Sequence, residues 1–196
     1  MSVNRPVVGV YLIATPRFFG IGDPDDIVYD QLVQATTDRI LEHIGRHSDV
    51  VFPGIISRRD QVRPAIDQFH AAHVDAVFCM FLSWTEDFAW AQFVRDMPPV
   101  PLFYAQPTLE MNYQNTWQKD GDFARFLSIS GLVGSLEGSG SVAKIRRPNV
   151  YVSVGDFDDV LAEFAPYAKA CALKSALFSE RFALLANFNE VMWAPM

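Results

Sequence analysis

Val7 to Ala14 reads VVGVYLIA, an apolar run rich in β-branched residues with no charged position. A strand wetted on one face alternates apolar and polar residues, whereas a run without alternation must be covered on both faces. The same signature returns at Asp49–Pro53 (DVVFP), Asp75–Phe81 (DAVFCMF), Val100–Ala105 (VPLFYA) and Val150–Val154 (VYVSV). Helices on both sides are the ordinary cover for such strands, so the chain is narrowed to a layered α/β fold.

The intervening segments supply those helices. Ile27, Leu32, Val33, Ile40, Leu41 and Ile44 fall near helical spacing, with Asp25 or Asp26 as a cap and Gly45 as a stop. Val62, Ile66 and Phe69 mark a second helix over Arg59–His73, and a third runs from a Thr85 cap to about Met97. Pro98-Pro99 breaks the chain before the fourth strand, and a polar, aromatic loop, QPTLEMNYQNTWQ, follows that strand. Asp156–Lys174 reads as a fifth helix that Pro166 should kink or divide, and Ser175–Phe178 as a short sixth strand. Strand–helix–strand alternation with short links implies parallel strands and right-handed crossovers. The expectation is a doubly wound, mostly parallel sheet in a three-layer, flavodoxin-like (Rossmann-like) sandwich of order 2-1-3-4-5, with a sixth strand possible at one edge. The expected division is an α/β domain over 1–180 and a crossing into a second domain over 181–196.

Asp120–Pro148 reads as one helix despite Gly131, Gly134, Gly138 and Gly140. Each glycine costs a helix interior roughly 1 kcal/mol relative to alanine, so they need a reason. There is no G-x-G-x-x-G and no G-x-x-x-x-G-K-[ST], so phosphate cradling in the manner of a nucleotide or flavin site is disfavoured. Small residues that let a helix approach a sheet closely are the better explanation.

With 196 residues, half of them hydrophobic and a fifth charged, the chain can bury a substantial core. A net charge of −7, without a basic cluster larger than two arginines, argues against nucleic acid as a partner. No apolar run is long enough for a membrane span or a secretory leader. Cys79 and Cys171 lie in apolar contexts and read as buried free thiols. A cytoplasmic protein is expected.

In a doubly wound sheet, ligands bind beyond the carboxyl ends of the strands. Those ends supply Thr15, Pro16, Arg17 and Phe18, then Ser57 and Arg58, then Ser83 and Trp84, then Gln106 and Thr108, and finally Ser179, Glu180 and Arg181. Hydroxyls, an amide, arginines and rings suit a sugar or polyol. The pairs His43/His47 and His70/His73 have metal-ligand spacing on a helix, but each sits where a helix ends, away from that crevice, and the helix dipole favours histidine there. Glu86 and Asp87 are adjacent, so they do not face each other across a helix, and they serve its amino end better than acid/base chemistry. No catalytic residue and no metal ligand is assigned.

Several segments together resemble the L-arabinose and L-fucose isomerases. ATPRFFG is similar to their loop after the first strand, VFCMFLSWTEDFAW to the third strand and its turn, and VPLFYAQPT to the strand of form P-L-L-x-x-x-T-Q. SGLVGSLEGSGSVAKIRRP resembles their glycine-spaced helix, and ALFSERFALLANFNEVMW the crossing into the second domain. The resemblance implies an N-terminal substrate-contact and assembly domain of an aldose–ketose isomerase in carbohydrate metabolism, working in a homo-oligomer. It implies manganese or a similar divalent metal for the whole family, with ligands and acid/base groups on later domains, none in this segment, and no turnover by this segment alone. The alternative is a stand-alone flavodoxin-like domain that binds or senses a sugar without catalysis. By position, the substrate contacts would be Thr15, Pro16, Arg17, Phe18, Phe19, Ser83, Trp84 and Gln106. Pro16 stands where the arabinose enzymes have glutamine, which leaves the particular sugar open.

Overall fold

The computed structural model describes residues 5–85, 87–108, 120–128 and 130–180. Its elements are β1 (Val7–Ile13), β2 (Gly22–Asp23), β3 (Ile27–Val28), α1 (Tyr29–Gly45), β4 (Asp49–Val51), α2 (Val62–Ala71), β5 (Ala76–Phe81) and α3 (Phe88–Asp96). They continue with β6 (Leu102–Thr108), α4 (Asp120–Ser128), α5 (Gly131–Ile145), β7 (Val150–Asp156) and α6 (Phe157–Ser179). The main sheet is parallel throughout, in the order β4-β1-β5-β6-β7. Counting only its own strands along the chain, this is the 2-1-3-4-5 order of a doubly wound α/β fold.

Both faces of the sheet are covered, as its uninterrupted apolar strands require. On one side Val8, Val10, Leu12, Phe78, Met80 and Phe103 pack against Val33 and Ile40 of α1 and Val160, Leu161 and Phe164 of α6. On the other, Tyr11, Ile13, Val77, Cys79, Phe81 and Tyr104 meet Ile66 and Phe69 of α2 and Trp90, Phe93 and Val94 of α3. Residues one apart on a strand therefore serve opposite layers.

The glycines of α5 close the second layer. A Cβ at Gly138 would lie 2.5 Å from the Tyr104 hydroxyl and 2.9 Å from the Trp90 ring, and one at Gly134 would lie 2.9 Å from Phe81. One at Gly131 would run into the carbonyl oxygen of Phe81, while Gly140 faces open space. Close approach is therefore the reason for three of the four. The single helix expected over 120–148 is in fact two, α4 and α5, with Ser130 between them.

Other expectations need correction. Ser175–Phe178 is not a strand but the last turn of α6. The alanine-, leucine- and lysine-bearing stretch before it has good helix propensity, which outweighs a short apolar run. The helix also runs through Pro166, which lies on the exposed side, where water can take up the carbonyl the proline leaves without a donor. Asp25 and Asp26 do not cap α1: a small antiparallel ladder between β2 and β3 intervenes, and Val28 is the N-cap without a side-chain bond. Thr85 does not cap α3, which starts three residues later behind Asp87. Gln106 and Thr108, expected in a loop, end strand β6. Cys79 and Cys171 are buried free thiols. The partner of Asp87 in the sequence, Glu86, together with Trp117, Arg181, Trp193 and the whole expected crossing at 181–196, lies outside the described residues.

Candidate functional site

The chain's direction reverses between β1 and β5, since α1 leads outward to β4 and α2 carries the chain back. Loops leaving β1 and β5 at such a point diverge and leave a crevice. Backbone bonds fix its walls. Ile56, just after β4, is stitched to the end of β1 by Ile56 N–H to Leu12 O (2.8 Å) and Ala14 N–H to Ile56 O (3.1 Å). Gly54 supplies the turn two residues earlier with φ +98°, a left-handed conformation that a side chain would strain. Across the crevice, Leu82 N–H donates to Ile13 O at 2.8 Å.

The first loop is tied down by side chains. Thr15 Oγ1 accepts from Arg17 N–H (3.3 Å) and starts a 3-10 turn over Pro16–Phe18. Ser83, fully buried after β5, accepts from Tyr29 O–H at 2.5 Å and from Thr15 N–H at 3.4 Å. Burial, eased by the Ser83 hydrogen bond, pushes the Tyr29 phenol up to about 12, so it remains a donor at any ordinary pH. In the second loop, Gln61 Oε1 accepts from the backbone N–H of Ser57 (2.8 Å) and Arg58 (2.9 Å), which points the start of α2 at the crevice.

The result is a cleft of about 390 Å³, within the usual range for small-ligand sites. Its walls carry the hydroxyl residues Thr15, Ser57 and Thr85, the arginines Arg17, Arg58 and Arg59, and the ring of Phe88. Phe88 is 64% exposed although it opens a helix whose other aromatics, Trp90 and Phe93, are fully buried. Arg59 is held through Nε by Gln92 Oε1 at 2.8 Å, and Arg58 lies 3.5 Å from Asp60 in a solvent-exposed pair. Burial, with Glu137 as a second cause, raises Asp87 above the usual carboxylate range at the head of α3.

Of the eight residues expected at the site, Thr15, Pro16 and Arg17 line this cleft. Phe18 is half-buried edge-on against Tyr29, and Phe19 is exposed beside it. Ser83 lies beneath the loops as their joint. Trp84 turns toward α5: its backbone N–H donates to Ser130 Oγ (2.9 Å) and its indole to Glu137 (3.2 Å). Gln106 is buried further along the sheet, donating to Ser139 Oγ (2.7 Å) and Ser135 O (3.3 Å). Sequence reasoning missed Arg59, Thr85 and Phe88 as lining residues. An aromatic on the wrong face of an otherwise amphipathic helix was the available signal for Phe88.

Among the described residues no three His, Cys, Asp or Glu side chains are grouped as metal ligands would be, so they do not fit a resident manganese ion. No described helix is long and apolar enough to cross a membrane.

No protein-family model matches the sequence, and no curated protein is similar to it. Several solved structures overlap it, among them these two. One is an ABC transporter solute binding protein from Bacillus halodurans with bound myo-inositol, at 16% identity and TM-score 0.34, covering 78% of this chain and 56% of that one. The other is an ABC transporter periplasmic solute binding protein from Actinobacillus succinogenes with bound D-allose, at 11% identity and TM-score 0.29, covering 77% and 59%. The chain thus spans less than two thirds of either. At these scores the likeness carries no functional weight.

Proposed function

We propose that the chain is a binding domain for a sugar or polyol, held in the cleft between the loops after β1, β4 and β5. The observation that supports this is the exposed Phe88 ring at the mouth of a cleft with three hydroxyl residues on its walls. A flat apolar face beside hydroxyls matches the two kinds of surface on a sugar ring. The finer form of the proposal follows the isomerase resemblance. In it the domain contributes substrate contact and subunit packing, while metal and proton-transfer groups belong to other domains. No proton-transfer step is assigned to the residues described here.

Backbone NMR titration with neutral and phosphorylated sugars and polyols tests the reading. Shifts should map to Thr15–Arg17, Ser57–Arg59 and Thr85–Ala89. Phe88→Ala should weaken binding roughly fivefold, the equivalent of about 1 kcal/mol. If no sugar of either kind moves these resonances, the binding proposal fails. Co-sedimentation of copies at micromolar concentration tests the assembly part separately.

A further inference from the structure

We infer that the ligand is a phosphorylated sugar or polyol, its phosphomonoester held by Arg58 and Arg59; this rests on reading the cleft as a sugar site. The chain carries 23 acidic against 16 basic residues, yet the described residues on the cleft walls include three arginines and no carboxylate. Random placement on so acidic a chain would bring acids with them. Arg59 is oriented by a neutral amide, Gln92, so that contact anchors the guanidinium without offsetting its charge. Among the described residues, Asp60 beside Arg58 is the one acid in an ion pair with either residue, and the pair is solvent-exposed, a kind that is weakly held and readily exchanged for a better anion. Asp96 also feels the charge of Arg59, but more weakly than that of its own neighbour Arg95.

A second field acts in the same sense. Phe88 and Ala89, the first turn of α3, lie on the wall, and no Asp87 side-chain bond caps that helix. The amino end of α3 therefore adds partial positive charge, which the Asp87 carboxyl at its N-cap offsets in part. Guanidinium forks match phosphate oxygens in geometry as well as charge. Phe88 and the hydroxyl residues are left for the ring.

Isothermal titration of the whole chain with four probes tests this: a neutral hexose, its 6-phosphate, the matching sugar acid and inorganic phosphate. The 6-phosphate should bind at least about tenfold more tightly than each of the others, and its affinity should fall as salt is raised. The double variant Arg58→Ala/Arg59→Ala should erase that preference, while Arg46→Ala, at the far end of α1, keeps it. Thermal melts check that both variants are folded, and Arg58→Gln/Arg59→Gln gives a second route to the same loss. Equal binding of hexose and its phosphate overturns this inference and leaves the sugar site standing. Equal binding of sugar acid or of inorganic phosphate overturns it as well, by removing phosphate or ring recognition respectively. Silence from every probe removes the sugar site itself.

Discussion

Two clusters of hydroxyl and amide side chains follow the carboxyl halves of the strands, one beside β1 and β4, the other beneath α5. As residue types they are alike. Under α5, Tyr104 O–H donates to Ser135 O (2.6 Å), Gln106 to Ser135 O and Ser139 Oγ, and the Trp90 indole to Gly138 O (2.9 Å). These groups are buried or part-buried and largely satisfy one another, the buried Ser135 Oγ alone among them being left without a partner. Beside β1 and β4, the polar residues face a cleft, and the arginines and Phe88 are exposed. The difference teaches that a polar residue at a strand end is a site candidate only where it borders a cleft and is not packed between elements. The α5 cluster is scaffold, because burying a helix against strands requires its polar atoms to be paired internally.

The sharpest way to break this contrast is to fill the contact under α5. Gly138→Val should destabilise the fold by about 1–3 kcal/mol or more, since Tyr104 and Trp90 are buried rings with little room to retreat. Gly140→Ala, in open space on the same helix, should instead stabilise by about 0.5–1 kcal/mol. Urea denaturation of both variants decides the matter. Equal effects of the two would mean that α5 does not dock as described. Neither should alter ligand affinity under folding conditions if the α5 cluster is scaffold alone.

Ser83 is where the two regions join, and it sharpens the distinction. Ser83→Ala removes the acceptor for Tyr29 O–H and for Thr15 N–H, two groups buried with it. The expected cost is about 1–3 kcal/mol, from donors left without partners. Adding Tyr29→Phe should return part of that loss, because it removes one orphaned donor, and a double-mutant cycle measures the coupling. A fully additive pair would show that the 2.5 Å bond is not an energetic link. Ligand affinity should weaken in Ser83→Ala, through loosening of the Thr15–Arg17 loop.

The sheet was readable because its signal is redundant. Runs such as VVGVYLIA and DAVFCMF can only be strands covered on both sides, and parallel strands linked by helices leave few possible orders. The glycine helix was half readable: the spacing implied close packing, but the break carries no proline, and Ser130, the N-cap of α5, turns its hydroxyl to Leu127 O and makes no capping bond. The cleft was readable as an edge and not as a set of residues. Ser83 and Gln106 have the right chemistry in the right places, and only the tertiary fold shows that Tyr29 and Ser139 occupy them. Phe88 and Arg59 were passed over because each was read as part of a helix and not of a strand-end loop.

The smallest effect expected lies at the opposite end of the sheet, where α1 finishes. His43 is held below its ordinary value of 6.5, first by burial and then by the nearby charges of Arg46 and His47. The unfolded chain therefore binds more protons than the folded one between the depressed value and 6.5. Stability is full above that window, falls as pH drops through it, and levels off below. Because the ring is partly exposed, the loss should stay below about 0.5 kcal/mol. His43→Gln should remove it, so the difference between wild type and variant, followed by urea denaturation from about pH 8 to 5, should shrink or grow only within that window. Affinity for a neutral sugar should show no matching inflection, because no histidine lines the cleft. An inflection shared by stability and binding would mean that the two ends of the sheet are coupled, and the separation of scaffold from site argued from the α5 cluster would then fail.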